Sequence, residues 1–300
     1  MPKDLTTGAA ASIASKIAGS TKKTYEVKSG KTLREEPSSF NLLAYGQSGT
    51  GKTQILIECL LLGFKVLLID TDFGRKAKET VQNWFVDHPE HMHLYDENLR
   101  VLDDLDVEGF MTFCRDPQKI WPDIYTWGPD VLFWDGMSAY QQGDLEADLC
   151  NDDFKRDDTD FSVWRGSRNG TIFPLMKLLN QHNTSTGQQW HKVVTLMEDE
   201  RVEKRKSASK QEKKDGSDII AGSERKGPML NTTARDLAGA GFSIVLQCVK
   251  KIVGKDVTFT YNTRGTNIIT KDRYGLPAEV KANFSDVYRT YIEPKIRGTK

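Results

Sequence analysis

The sequence predicts an α/β protein with a mostly parallel sheet and helices on both faces. Three observations predict it. Short apolar runs of strand length alternate with helix-length segments along the 300 residues. A glycine-rich segment, Gly46–Thr53, joins the first apolar run directly to a helical one. Two later apolar runs end in aspartate, at Asp70 and Asp135, on the sheet edge where open α/β proteins bind their ligands.

The elements follow in order. Residues 1–38, rich in Ala, Ser, Thr, Gly and Lys, read as a flexible N-terminal arm with a short helix across Ala9–Ile17. The core, residues 39–300, opens with a buried strand over Phe40–Tyr45. A buried helix follows over Gln54–Leu62, ended by Gly63. Lys65–Asp70 is a second buried strand and Arg75–Val86 a helix; Val101-Leu102 is a short strand. Val107–Ile120 is helical with a break at Pro117. Val131–Trp134 is a third buried strand, stopped by Asp135-Gly136, and Phe161–Asn180 is a helix or broken helix. Lys192–Met197 and Phe242–Gln247 complete the set of strands. The chain has no internal repeat.

Composition excludes several classes. The formal net charge is zero, so any nucleic-acid contact must come from a local patch rather than the whole field. Cys59, Cys114, Cys150 and Cys248 are widely spaced and form no C-x-x-C pair. That argues for reduced thiols in a cytosolic compartment and against a disulfide framework or zinc site. No apolar run is long enough to span a membrane, and the N-terminus lacks a secretory pattern. His88, His91 and His93 sit together without a nearby cysteine, beside Pro89, and make a poor metal site.

The chemistry concentrates in Gly46-Gln47-Ser48-Gly49-Thr50-Gly51-Lys52-Thr53, which matches G-x-x-x-x-G-K-[ST] at every fixed position. Glycines let the backbone wrap an anion so that several N–H groups converge on it. The following helix adds its own N-terminal N–H groups. In such a loop the lysine, here Lys52, reaches the β- and γ-phosphates and the hydroxyl, here Thr53, ligates Mg²⁺. A partner carboxylate is then needed at a neighbouring strand end, and Asp135 fits. Asp70 and Asp72 offer two further carboxylates at the same edge; either can orient the attacking water or merely cap the next helix.

Two insertions carry charge. Asp144–Asp160 is acidic and reads as a solvated loop. Residues 201–226 hold Lys204, Arg205, Lys206, Lys210, Lys213, Lys214, Arg225 and Lys226 with few apolar residues, and read as a long mobile loop. A basic loop of this kind contacts phosphates or orders on binding.

Gly46–Thr53, Asp70-Thr71-Asp72, Val131–Asp135, the Lys192–Met197 strand and the late Lys271-Asp272-Arg273-Tyr274-Gly275-Leu276-Pro277 segment together resemble the phage RecA-like ATPases. These are short AAA-domain nucleotide-binding proteins, some of which act in single-strand annealing and recombination. The resemblance spans roughly Phe40–Pro277 and implies a RecA-like P-loop fold with ATP and Mg²⁺ as ligands. Carried over residue by residue, it implies that Lys52 and Thr53 bind phosphate and metal and that Asp135 supports the metal. Asp72 stands where such proteins carry a catalytic glutamate, one methylene shorter. Lys271 and Arg273 would reach the nucleotide of a neighbouring subunit, which requires a homo-oligomer. Thr195, Glu198 and Asp199 are candidates for sensing the γ-phosphate. Loop 201–226 falls where the family places a mobile loop for single-stranded DNA. A phage origin would put the protein in the cytoplasm of a bacterial host. The alternatives are a P-loop small-molecule kinase, a dimeric partitioning-type NTPase, and an ATP-switched assembly or loader protein with little hydrolysis. Gln47 and Ser48 stand where the dimeric type carries an extra lysine.

Overall fold

The computed structural model describes residues 38–71, 76–103, 105–141, 172, 174–203, 223–229, 240–265 and 268–297, all within the Pro37–Lys300 unit of the chain. Residues 1–37 of the expected arm, Asp72, the acidic insertion 144–160 and residues 204–222 of the basic insertion lie outside that set.

Ten strands form one sheet among the described residues. They are β1 (Asn41–Gly46), β2 (Val66–Asp70), β3 (Leu99–Leu102), β4 (Val131–Asp135), β5 (His191–Glu203), β6 (Ser223–Pro228), β7 (Ile244–Val253), β8 (Asp256–Asn262), β9 (Lys271–Asp272) and β10 (Glu279–Lys281). Their order is β10-β8-β7-β1-β5-β4-β2-β3, with β6 on β5 and β9 on β7. The six strands from β7 to β3 pair in parallel. The four additions, β6, β8, β9 and β10, pair antiparallel.

The period of two along each strand divides the core. Leu42 and Ala44 of β1 face one way, with Leu68, Phe133 and Val193. That layer packs on helix α1 (Gln54–Leu61), helix α2 (Lys76–Asp87) and the C-terminal helical run from Phe284 to Ile296. Leu43 and Tyr45 face the other way, with Ile69, Trp134 and Val194. Phe110 and Phe113, on the helix Val107–Arg115, cover that side together with Leu175 and Leu178 of the helix over 174–179. Helices on both faces explain why the central strands read as unbroken apolar runs rather than alternating ones. The fold is α/β, with a mostly parallel sheet covered by helices on both faces.

The helix over Val107–Ile120 carries the break expected at Pro117: it ends at Arg115 and a separate helical turn spans Pro117–Ile120. Other boundaries differ from the sequence reading. The His88–His93 region is a 3₁₀ turn over Pro89–His91 leading into a helix over Met92–Asn98. His88 is stacked on Trp84 with ring centroids 4.0 Å apart, and no metal-holding cluster occurs among the described residues. Strand β5 does not stop at Met197. It runs to Glu203 because β6 supplies an antiparallel partner, Glu198↔Pro228 to Glu203↔Ser223. Both ends of the expected loop 201–226 are therefore strand. Likewise β7 continues past Gln247 to Val253, because β8 folds back on it through the turn Gly254-Lys255.

Candidate active site

The glycine-rich segment leaves the end of β1 and turns into α1. Gly46 sits where no side chain fits: a Cβ there would lie 2.4 Å from the Cys248 carbonyl oxygen and 2.7 Å from Thr50 Oγ1. Gly49 and Gly51 hold φ of 73° and 86°, a region open to glycine at little cost. Thr50 is buried and its hydroxyl donates to Gln47 O at 2.8 Å, stapling the turn. Helical hydrogen bonding begins with the N–H groups of Gln54, Ile55 and Leu56, accepted by Gly51, Lys52 and Thr53. Lys52 Nζ donates to Gly46 O and Gln47 O, each at 2.8 Å, and stands 3.9 Å from Met197 Sδ. The loop's own carbonyls thus hold the ammonium at the rim of the turn.

A cavity of about 980 Å³ opens over this turn, at the upper end of the size range for small-molecule sites. Ser48, Gly49, Gly51, Lys52 and Thr53 line it, and so do Asp135, Gly136 and Ser138 from the end of β4. The carboxylate arrives from two strands away, because β5 lies between β1 and β4. From β5 comes Thr195, 1% exposed, whose hydroxyl donates to Asp135 Oδ1 and accepts the Gly136 N–H at 3.3 Å. Of the three polar candidates on this strand, Thr195 lines the cavity. Glu198 is engaged elsewhere: its Oε1 accepts Gln247 Nε2 at 2.7 Å, and Gln247 Oε1 accepts Asn262 Nδ2 at 2.9 Å.

Asp70 is buried at the end of β2, beside Asp135 in register. Its Oδ2 accepts the Lys78 N–H at 3.3 Å, so it holds the start of α2. Next to it Thr71 is fixed three ways. Its N–H and hydroxyl both donate to Asp135 O at 3.0 Å, and its Oγ1 accepts Trp134 Nε1 at 2.8 Å. These bonds clamp β2 to β4 at the edge that carries both aspartates.

Lys271 and Arg273 lie elsewhere. Lys271 pairs with Val245, and the Arg273 N–H donates to Ser243 O. In the same sheet Val245 aligns with Leu43, near the start of β1, whereas the phosphate-type loop leaves its end at Gly46. The two cations are thus at the opposite sheet edge, away from the cavity of their own chain. Lys271 Nζ donates to Ala240 O at 3.1 Å. Partial burial and the Arg273 charge push its pKa down.

Other lining residues were not legible in the sequence. Lys76, Ala77 and Thr80 come from one face of α2, Met197 and Met229 from β5 and the end of the β6 ladder, and Phe259 and Ala282 from the β8–β10 side. Lys76 and Thr80 stand four apart on a helix, the spacing that shares a face, which was the one available signal. Ser138 joins the two methionine segments, donating to Met229 O at 3.2 Å and accepting the Met197 N–H at 3.1 Å. Glu58, in the cavity wall, accepts the Ser285 N–H at 2.7 Å; burial pushes its pKa up, and backbone donors from Ser285 and Phe284 oppose the rise.

The donor set suits a magnesium nucleoside triphosphate: converging backbone N–H groups, a lysine, a threonine hydroxyl and a buried carboxylate around one cavity. No protein-family model and no curated protein matches the chain. Among solved structures, a KaiC-like protein of the archaeon Pyrococcus horikoshii aligns at TM-score 0.42 and 11% identity, over 79% of this chain and 83% of that one. The flagellar accessory protein FlaH of Methanocaldococcus jannaschii aligns at TM-score 0.38 and 12% identity, over 75% and 78%. The fold class rests on the strand order and the loop described above. No helix among the described residues is long and apolar enough to cross a membrane. Cys59, Cys114 and Cys248 are buried free thiols.

Proposed function

We propose that this chain is a Mg²⁺-dependent, RecA-like P-loop ATPase that assembles in several copies on single-stranded DNA, in recombination or strand annealing. One observation carries the ATPase part: the glycine turn, Lys52, Thr53, Asp135 and Thr195 surround a single cavity. Bound ATP supplies the phosphoanhydride to be broken, and Mg²⁺ neutralises charge on its phosphates. In this reading Lys52 moves from the loop carbonyls to the phosphates and Thr53 holds the metal. Asp135, oriented by the Thr195 hydroxyl, orders the metal's hydration shell. Asp72 orients the attacking water, because Asp70 is committed to the Lys78 N–H.

Two features support assembly on DNA. Lys271 and Arg273 stand at the sheet edge opposite the cavity, so they act on nucleotide only across a subunit boundary. The sequence joining β5 to β6 carries Lys204, Arg205, Lys206, Lys210, Lys213 and Lys214, and the β5–β6 ladder begins beside Met197 and Met229, which line the cavity. A second reading, an ATP-switched assembly protein with little hydrolysis, is favoured by Asp72, whose carboxylate is one methylene shorter than the glutamate of the family it resembles.

The test is ATP hydrolysis by the full chain with and without single-stranded DNA, at low and moderate salt. Stimulation that fades as salt rises is expected, since phosphate contacts release counterions. Hydrolysis indifferent to DNA overturns the DNA assignment. ATP binding without turnover selects the switch.

A further inference from the structure

The proposed site has an end that its phosphate chemistry does not use. Asp135 stands on β4, two strands to one side of β1; β8 stands two strands to the other side, beyond β7. At roughly 4.8 Å per strand each is about 10 Å from the glycine turn. Phosphates on the turn, with their metal toward Asp135, leave the nucleoside to run toward β8. At that end the cavity wall is Phe259. The ring is 37% exposed, and a Cβ on Gly51 would lie 3.8 Å from its Cδ1. It therefore borders the loop directly. Ala282, whose N–H donates to Phe259 O at 2.9 Å, lines the wall beside it with a side chain too small to cover the ring. Lys250, the cross-strand partner of Phe259, holds Nζ 6.0 Å from the ring centroid.

The plain alternative is an ordinary exposed residue on an exposed hairpin. Ile252, Val253 and Val257 are exposed on the same hairpin at 65%, 73% and 47%. None of those three lines the cavity, however, whereas Phe259 does. We propose that the Phe259 ring is the platform on which the nucleobase of the bound triphosphate stacks. The inference rests on the phosphate-loop reading above and adds what the loop alone leaves open, recognition of the base. Near that end Gln54 lines the wall, the Lys250 ammonium lies against the ring, and the Glu58 carboxylate already accepts the Ser285 N–H, so no described group is set to read a base edge. Selection is therefore by stacking, which every base offers. ATP and GTP bind within about tenfold of each other, well short of the discrimination that a built hydrogen-bonding site achieves.

The experiment compares ATP, GTP and inorganic tripolyphosphate on the wild-type chain and on Phe259→Ala, Phe259→Trp and Val257→Ala. Phe259→Ala is expected to weaken ATP about tenfold or more, the range for losing one base–aromatic stack, and to leave tripolyphosphate affinity unchanged. Phe259→Trp is expected to keep ATP affinity and to change its fluorescence with ATP but not with tripolyphosphate. Val257→Ala should match wild type. Wild-type ATP affinity in Phe259→Ala overturns the proposal, and so does equal weakening of ATP and tripolyphosphate, which would mean a disturbed loop. A wild-type chain that binds neither compound overturns the phosphate-loop reading as well, so the two failures are separable.

Discussion

Gly46 and Gly49 occupy the same loop under opposite constraints. Gly49 has open space where a methyl group would stand, with nothing within 4 Å, and only its φ of 73° resists substitution. Gly46 has ordinary backbone freedom but no space, because the Cys248 carbonyl of β7 blocks the position at 2.4 Å. Gly49→Ala should therefore cost about 1–2 kcal/mol, the left-handed penalty. Gly46→Ala should cost about 1–3 kcal/mol from overpacking and also move the loop away from β7. Urea unfolding measures the first effect, and nucleotide affinity separates the two, with only Gly46→Ala expected to lose it. Lys52→Ala should keep its stability within about 1 kcal/mol, since the lysine's bonds to the Gly46 and Gln47 carbonyls are half-buried or exposed, yet abolish nucleotide binding or turnover. Wild-type turnover in that variant removes the site assignment. The loop was readable because its chemistry is contiguous in sequence. Thr195 reaches the cavity only through strand register, and so was one of three equal candidates until β5 was placed between β1 and β4.

Strand β5 carries its own pH sensitivity. His191, at its start, stacks on Phe40 with ring centroids 4.3 Å apart, and its Nδ1 accepts the Phe40 N–H at 3.2 Å. Burial, with the neighbouring Lys192 charge, pushes its pKa down to about 4. An unfolded histidine titrates near 6.5. Between these values the unfolded chain takes a proton that the folded chain refuses. Stability is full above about pH 6.5 and falls as pH drops toward 4, by up to about 3 kcal/mol. Urea midpoints measured from pH 7.5 to 4.5 should show this loss, and His191→Phe should reduce its slope. An unchanged slope in that variant would assign the acid sensitivity to other groups. At this scale the buried parallel strands were legible because apolar runs with turn residues at their ends are a core signal. The extensions were not, because residues 198–203 are held by backbone pairing with β6, and residues 249–260 pair along the hairpin with little core burial. The β8 hairpin did leave a trace: the two-residue turn Gly254-Lys255, with Gly254 at φ 64°, precedes the strand-favouring Val257–Tyr261.

For the molecule as a whole, the separation of the cavity from Lys271 and Arg273 makes the proposed action across a subunit boundary testable. Arg273→Ala should leave nucleotide binding by the monomer largely intact and lower turnover. If the cations act across a boundary, mixing Arg273→Ala with Lys52→Ala should restore part of the activity, because some junctions then combine an intact loop with an intact arginine. Activity equal to the sum of the separate proteins, together with unchanged turnover in Arg273→Ala, would remove the trans role. The doubly covered sheet was legible in the alternation of strands and helices. The order of its strands was not, since nothing local encodes which distant run lies beside β1.

That order has a consequence during synthesis. The strand carrying the phosphate loop finds its two neighbours late: Phe40 meets His191 across 151 residues, and Asn41 meets Ser243 across 202. A ribosome delivering the chain from its N-terminus releases β1 first and its flanking partners last. Strands β2, β3 and β4, already contiguous in the sheet, can associate while β1 still lacks both walls. The nucleotide turn therefore matures near the end of translation, and a chain arrested before residue 240 carries the complete glycine motif without the strand that buttresses it.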